Sequence, residues 1–222
     1  MKKLLLLLTI GLGSQLILLA QVPDPPIPVT PPPPASDDLR GVFIADGTYS
    51  NAFFGLSLQV PSSFTILNKG ETETYTKAGA DKFKGNTSQT DKAVEAAVNR
   101  TIYLLMVTTK PPGSLGNAVL ELQIVKEPSA ATANMIMAET MKLLTSTGKV
   151  RVVDRLKDTQ FGGKSFVGIE LESTTSQTMK HRIYMVIIKG YAMIIGLTFT
   201  KTSEEDMAVF DGMLNSFAFK AK

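Results

Sequence analysis

The stretch RIYMVIIKGYAMIIGLTFT, Arg182–Thr200, decides the fold of this chain. Two apolar runs are separated by Lys189-Gly190, which has the length of a tight hairpin loop with glycine supplying a positive φ. Apolar side chains occupy both faces of the first run: Ile183, Met185 and Ile187 on one, Val186 and Ile188 on the other. A strand that is apolar on both faces is typical of a sheet covered by layers on both sides.

The segments around this hairpin predict further strands and a few helices. Alternating or β-branched apolar residues predict strands at 54–60, 64–67, 102–109, 118–124, 150–161 and 166–173. Helical spacing predicts helices at 90–99, at 128–146 and from 202, where Thr202 and Glu205 form a capping box ahead of a buried stripe of Met207, Phe210, Leu214 and Phe217. The polar segment 69–89 is predicted to be a long loop. Hairpin strands with helices predict an α+β fold, an antiparallel β-sheet flanked by helices in an α/β/α sandwich.

The first residues have the order of a secretory signal. Lys2 and Lys3 precede the apolar run Leu4–Leu19, and Ala20 supplies a small residue for cleavage. We expect a signal peptide at 1–20, with cleavage after Ala20. The alternative is an apolar segment that is retained as an anchor, near the short limit of ~17 residues for crossing a bilayer.

A proline-dense segment follows the signal. Eight prolines lie within 22–35, and proline favours the extended polyproline II conformation. We expect a linker and disordered lead-in over 21–47, with structure starting near Thr48 and a single α+β domain at 48–222. The linker is interpreted as a spacer, with a docking peptide for a proline-binding partner as the alternative.

The composition excludes several classes of function. The chain has no cysteine, which excludes a lipid-modified cysteine, disulfides and thiolate metal sites. Without Lys2 and Lys3, the 23 basic residues become 21 against 20 acidic ones, a net charge of +1. A nucleic-acid or anionic-membrane binder normally shows a strong basic excess, so we expect no nucleic acid, and no membrane beyond the signal sequence.

Two parts of the chain resemble a known family. The string YSNAFFGLSLQVPSSF at 49–64 is similar to the opening of secreted bacterial domains of the PsbP-like, or Mog-type, superfamily. The end of the chain matches in Lys189-Gly190-Tyr191, Ser203-Glu204-Glu205 and Ser216–Phe219, with Phe161-Gly162-Gly163 at a glycine turn. The likeness covers roughly 48–68 and 150–219. It implies an α/β/α sandwich and a binding or scaffold role, like that of the extrinsic photosystem subunit, and carries no functional residue across.

His181 is the only histidine, so a catalytic triad or a histidine metal site would have to use it. Glu172 is expected roughly opposite, with Ser173 and Ser176 nearby. The alternative is a polar pair between strands near a sheet edge, worth about 0.2–1 kcal/mol.

Other candidate groups are carboxylates and methionines. Glu170 and Glu172 share a strand face and could form a glycosidase pair, or be a solvated face. Glu204-Glu205-Asp206 fits a first helical turn. The methionines 135, 137 and 141 are interpreted as core filling, with an adaptable binding surface as the alternative.

These observations favour an exported, non-enzymatic binding or accessory domain in the periplasm or outside the cell, and not a lipoprotein. It would engage a protein or small ligand through a sheet edge or the 69–89 segment. The alternatives are a small secreted hydrolase that uses His181 with Glu172 and a nearby serine, and an envelope-anchored structural protein. No catalytic, cofactor or metal residue is assigned, and no cofactor is expected.

Overall fold

The described residues from Leu39 onward form two antiparallel sheets and, among their helices, three that are given in full below. The computed structural model describes residues 39–43, 46–81, 99–114, 116–127, 130–146, 150–173, 179–200 and 207–220. Within these residues the strands are β1 (Val42–Phe43), β2 (Thr48–Asn51), β3 (Leu56–Gln59), β4 (Thr65–Ile66), β5 (Thr101–Thr108), β6 (Val119–Lys126), β7 (Val150–Phe161), β8 (Lys164–Ser173), β9 (Met179–Ile188), β10 (Tyr191–Thr200) and β11 (Ala218–Phe219). The helices are α1 (Lys69–Asp81), α2 (Ala133–Ser146) and α3 (Met207–Asn215).

The predicted hairpin forms the middle of a seven-stranded sheet. The strand order is β4-β5-β6-β10-β9-β8-β7, and neighbouring strands are antiparallel throughout. Lys189 and Gly190 both have positive φ, 53° and 77°. That is the type I′ geometry, whose twist matches the twist of paired strands. The tight turn and the central position of the hairpin are therefore confirmed.

The two faces of this large sheet are covered by different layers. One face packs against a four-stranded sheet, β1-β2-β3-β11, and against α3. The opposite face packs against Ile136 and Met137 of α2 and against Tyr75 of α1. The antiparallel α+β class is confirmed, but the α/β/α sandwich is only partly right. One outer layer is mainly a second sheet, because β11 near the end of the chain pairs with β3 near its start.

The described structure begins at Leu39, earlier than the predicted start near Thr48. Leu39 is buried in the main core, and Val42–Phe43 pair with Tyr49–Ser50. Asn51 is fully buried, and its side-chain amide donates to the Leu39 carbonyl at 2.8 Å. Residues 39–43 therefore belong to the domain and not to a linker.

The predicted loop at 69–89 is wrong over its first part, because 69–81 forms α1. Asn68 caps this helix: Glu71 N donates to Asn68 Oδ1 at 3.0 Å, and Asn68 N donates to Glu71 Oε2 at 2.8 Å. This reciprocal arrangement is a capping box with asparagine as the first residue. The threonines and Gly70 lower helix propensity, which is why the composition resembled that of a loop.

Helices α2 and α3 overlap their predicted ranges, but α2 begins later than predicted and one more residue joins the buried stripe of α3. α2 begins at Ala133 and not near Pro128, since Thr132 is its N-cap and accepts a hydrogen bond from Met135 N at 3.3 Å. The predicted stripe of α3 and the following turn is buried: Met207, Phe210, Leu214 and Phe217, joined by Met213.

Several predictions fall outside the described residues: the signal and most of the linker, the helix at 90–99 apart from Asn99, which is helical, the capping box at 202–205 and the acidic group 204–206. Among the helices that the structure describes, none is long and apolar enough to cross a membrane.

Candidate functional site

His181 is sealed inside the large sheet. It lies on β9, opposite Leu171 of β8 and Thr198 of β10, on the face that α2 covers. Its side chain has no solvent exposure, and Nδ1 lies 3.1 Å from Thr198 Oγ1. Burial lowers the pKa of His181 to about 4, so the ring is neutral near pH 7. His181 does form a polar pair between strands, but its partner is Thr198, which the sequence analysis did not name, and the pair lies in the sheet's interior and not near an edge.

The predicted partner Glu172 lies on the other face of the sheet. It is opposite Lys180 on β9 and Arg151 on β7, and its carboxylate forms an ion pair with Arg151. Adjacent residues of a strand point to opposite faces, so His181 and Glu172 are separated by the sheet itself. The proposed histidine–glutamate pair is therefore wrong. Ser173 is buried on the His181 face, and Ser176 lies outside the described residues.

The glutamates of β8 are held in ion pairs. Glu170 Oε2 accepts a hydrogen bond from Arg182 Nε at 2.8 Å. The Arg182 guanidinium also lies over the Phe199 ring, 5.7 Å from its centre. Together with Arg151 and Glu172, these residues form a charged ladder across three strands. The solvated-face interpretation is therefore wrong, because the side chains of Glu170 and Glu172 are only 15% and 13% exposed.

A second set of polar side chains is buried under the helices. Glu121 and Gln123 of β6 are 1% and 0% exposed, on the same face as His181. Burial, and then the charge of Glu121, raise the pKa of Tyr75 on α1 to about 12. Thr140 of α2 is also fully buried, and its hydroxyl makes no hydrogen bond with the part of the chain that the structure describes.

The sequence analysis did not predict this buried set. Glu121 and Gln123 occupy the polar positions of an alternating strand, a pattern that indicates a solvent-facing side. They are buried because β6 lies between β5 and β10 and because helices cover that face. No three His, Cys, Asp or Glu residues lie close enough to hold a metal ion in the described ranges.

The methionines of α2 divide between core and surface. Met137 is buried and Met141 packs partly against the same cluster, whereas Met135 is 55% exposed. Core filling is thus confirmed for the first two. A single exposed methionine is an ordinary surface feature and does not form a binding patch.

Lysines and aromatic rings are concentrated at the end of the sheet that carries the hairpin turn. Three lysines each lie over a ring: Lys126 over Tyr191 at 5.5 Å, Lys189 over Phe53 at 5.0 Å and Lys164 over Phe219 at 5.2 Å from the centroids. Arg100 and Lys220 complete the group, which we call the hairpin end.

Registers and hydrogen bonds bring these residues together. Tyr191 pairs with Lys126, and the Arg100 guanidinium donates to the Lys126 carbonyl at 3.4 Å. The Lys189 ammonium donates to the Phe53 carbonyl, and Lys220 N donates to the Gly55 carbonyl at 2.8 Å. The hairpin end is therefore one continuous region built from both sheets.

Comparison with known proteins gives distant likenesses only. No protein-family model matches the chain, and no curated protein matches it. Similar solved structures include the cyanobacterial PsbP protein CyanoP from Synechocystis, at 13% identity and a TM-score of 0.45, covering 81% of this chain and 95% of that one.

Two other structures are similar to the same degree. LpqN, involved in cell envelope biogenesis of Mycobacterium tuberculosis, has 11% identity and a TM-score of 0.39, covering 73% of this chain and 82% of that one. PA94 of Pseudomonas aeruginosa, a protein of unknown function, has 11% identity and a TM-score of 0.43, covering 53% and 83%. At these values no residue role or activity is transferred.

Proposed function

We propose that this protein is an exported, non-enzymatic binding or accessory domain that acts in the cell envelope. The observation that carries the proposal is the hairpin end, where five basic residues and three partly exposed rings meet. Lysines that lie over half-exposed rings present both charge and apolar area to a partner. The signal peptide that the sequence predicts at 1–20 supports the location.

The candidate reactive groups support a binding role by their surroundings. His181 is fully buried and bonded to Thr198, while Glu170 and Glu172 are engaged with arginines. A general base must lie within reach of a substrate proton, and His181 is closed off from solvent. The hydrolase alternative therefore has no observation in its favour.

We propose the hairpin end in place of the sheet edge or the 69–89 segment as the binding surface; residues 82–89 lie outside the described part of the chain. The edge strand β7 carries charged residues along its length and has two register irregularities, at 152–154 and 156–159. Charges and bulges on an edge strand oppose the addition of another strand. Residues 69–81 form α1, which packs on the sheet through Tyr75.

The proposal is tested by crosslinking the full chain in intact envelopes and identifying what is attached. We expect a specific envelope component, protein or lipid, whose capture falls when the hairpin-end lysines are replaced. Capture of nothing above the background of an unrelated exported protein would refute the binding role. A substrate turnover that His181→Ala abolishes, with folding intact, would establish the hydrolase instead.

A further inference from the structure

We propose that the hairpin end docks on an anionic phospholipid surface; this names the partner of the binding function proposed above. The whole-chain charge balance predicts no such binding, but that balance says nothing about how the charges are distributed. The fold gathers basic residues at one end of the molecule. Because electrostatic attraction to a membrane falls off within a Debye length, only the charges at the contacting end count.

The charged residues in the described segments that form this end are mostly basic. The segments that form it are 52–56, 99–102, 125–127, 161–166, 188–191 and 218–220, and they contain Arg100, Lys126, Lys164, Lys189 and Lys220. Their one acidic residue is Glu127, which is 5% exposed. The four lysines take no part in the ion pairs between described residues, which are Lys69–Glu73, Arg151–Glu172 and Arg182–Glu170. The hairpin end therefore presents a basic surface.

The rings suit the boundary between headgroups and acyl chains. Phe53, Tyr191 and Phe219 are each partly exposed beneath a lysine. Tyrosine is enriched at membrane interfaces, where an apolar ring is buried and its polar atom stays wet. Lysine buries its methylenes along such a surface and keeps the ammonium with the phosphates. The combination adds apolar contact to the electrostatic attraction.

The first described residue of the domain, Leu39, lies at this same end of the molecule. Asn51 donates to the Leu39 carbonyl and accepts from Phe54 N at 3.1 Å, which places Leu39 beside the Phe53–Phe54 turn. The 38 residues before Leu39 therefore join the domain at the hairpin end.

The residue types favour lipid over an acidic protein. Four of the five basic residues are lysines, and lysine is depleted in protein–protein interfaces, whereas arginine and aromatic residues are enriched. Clusters of lysine and arginine are typical of segments that bind anionic headgroups.

The test is lysine footprinting of the full chain with vesicles. An amine-reactive label is applied with no vesicles, with phosphatidylcholine vesicles, and with an equal mixture of phosphatidylcholine and phosphatidylglycerol. We expect anionic vesicles alone to protect Lys126, Lys164, Lys189 and Lys220, while Lys69 and Lys110 stay reactive. This readout is independent of any insertion of the N-terminal apolar run. Equal labelling in all three conditions would overturn the inference.

A charge-matched pair of variants measures the contribution of the hairpin end. The test variant is Lys164→Gln with Lys189→Asn, because asparagine tolerates the positive φ of that turn. Each lysine is expected to contribute about fivefold to the affinity for an anionic surface. The double variant should therefore bind the anionic vesicles roughly 25-fold more weakly. The control, Lys69→Gln with Lys110→Gln, removes the same charge elsewhere and should leave binding unchanged. Equal losses in both variants would overturn the inference, and matching circular dichroism confirms that both fold.

Failure of this inference is distinguishable from failure of the proposed function. Capture of an envelope protein that the Lys164/Lys189 variant loses, without vesicle protection, would replace the lipid by an acidic protein and leave the binding role intact. If vesicles give no protection and no envelope component is captured, the lipid inference and the proposed binding function are both refuted.

Discussion

His181, the only histidine of the chain, is a buried residue in the interior of the large sheet. Its ring fills a position between Leu171 and Thr198, with one nitrogen bonded to the Thr198 hydroxyl. Its second ring nitrogen has no hydrogen-bond partner in the described part of the chain. A buried group in this setting resists protonation, because a charge there would lose its hydration without gaining a counter-ion.

The depressed pKa of His181 predicts a pH dependence of stability. The unfolded chain takes up a proton near pH 6.5, whereas folded His181 does so only near 4. The stabilisation is therefore fully present above pH 6.5 and is lost as the pH falls from 6.5 to 4, by up to about 3 kcal/mol. Urea unfolding across this range should show the loss in the natural chain and not in His181→Leu. If the free energy of unfolding depends on pH in the same way in the natural chain and in His181→Leu, the prediction is contradicted.

Two glycines with different surroundings give a matched test of packing. A Cβ at Gly41 would overlap the Tyr49 ring, whose hydroxyl accepts a hydrogen bond from Gly41 N at 3.1 Å. We expect Gly41→Ala to destabilise the protein by roughly 1–3 kcal/mol. Gly212, in α3, has no neighbouring atom within 4 Å of an added Cβ. Gly212→Ala should stabilise by roughly 0.5–1 kcal/mol, and chemical denaturation measures both. Equal effects of the two substitutions would contradict this account.

At the scale of elements, α1 depends on its first turn. The helix has few apolar residues facing the sheet, and Leu67, just before it, packs with Tyr75 against Met106 and Val119. A helix with so little apolar contact needs its end groups satisfied, which the Asn68–Glu71 box does. The pattern N-x-x-E at 68–71 was the available sequence signal for this helix.

Removal of that cap is expected to weaken α1. Asn68→Ala leaves the amide of Glu71 without its acceptor and should cost about 1 kcal/mol. Lys69→Ala is the control, since it removes only the exposed 3.9 Å contact with Glu73. Amide hydrogen exchange over 69–81 measures the effect, and protection that is the same in both variants would contradict it.

Element types followed from the sequence where apolar periodicity was strong. The hairpin, β5, β6 and the stripe of α3 all have apolar spacing that matches their period. α1 and the boundary of α2 were missed because capping side chains, and not apolar spacing, set them. The site was less predictable still, since Glu121 and Gln123 look solvent-facing in the sequence.

At the scale of the whole molecule, the start and end of the domain close one small sheet. β3 pairs with β2 on one side and with β11 on the other. Gln59 N also donates to Ser216 Oγ at 2.9 Å, across 157 residues of chain. Leu39 adds to this closure through the Asn51 amide, so the first described residues hold the small sheet against the large one.

The position of the domain start can be measured by truncation. A chain that begins at Thr48 loses the burial of Leu39 and leaves the buried Asn51 amide without its acceptor. We expect a loss of about 3 kcal/mol or more in the free energy of unfolding. A chain that begins at Asp38 keeps both and is the control. Equal melting temperatures for the two would place the start of the domain at Thr48 after all.

The sequence by itself determined the central hairpin, the antiparallel α+β class and the lack of any cysteine chemistry, because these depend on local spacing and composition. Only the tertiary structure decided that His181 and Glu172 lie on opposite faces, that Glu121 is buried, and that basic residues from distant segments meet at one end. The physical reason is register. Long-range pairing sets which residues are neighbours across strands, and a slip of one residue would move each side chain of that strand to the other face of the sheet.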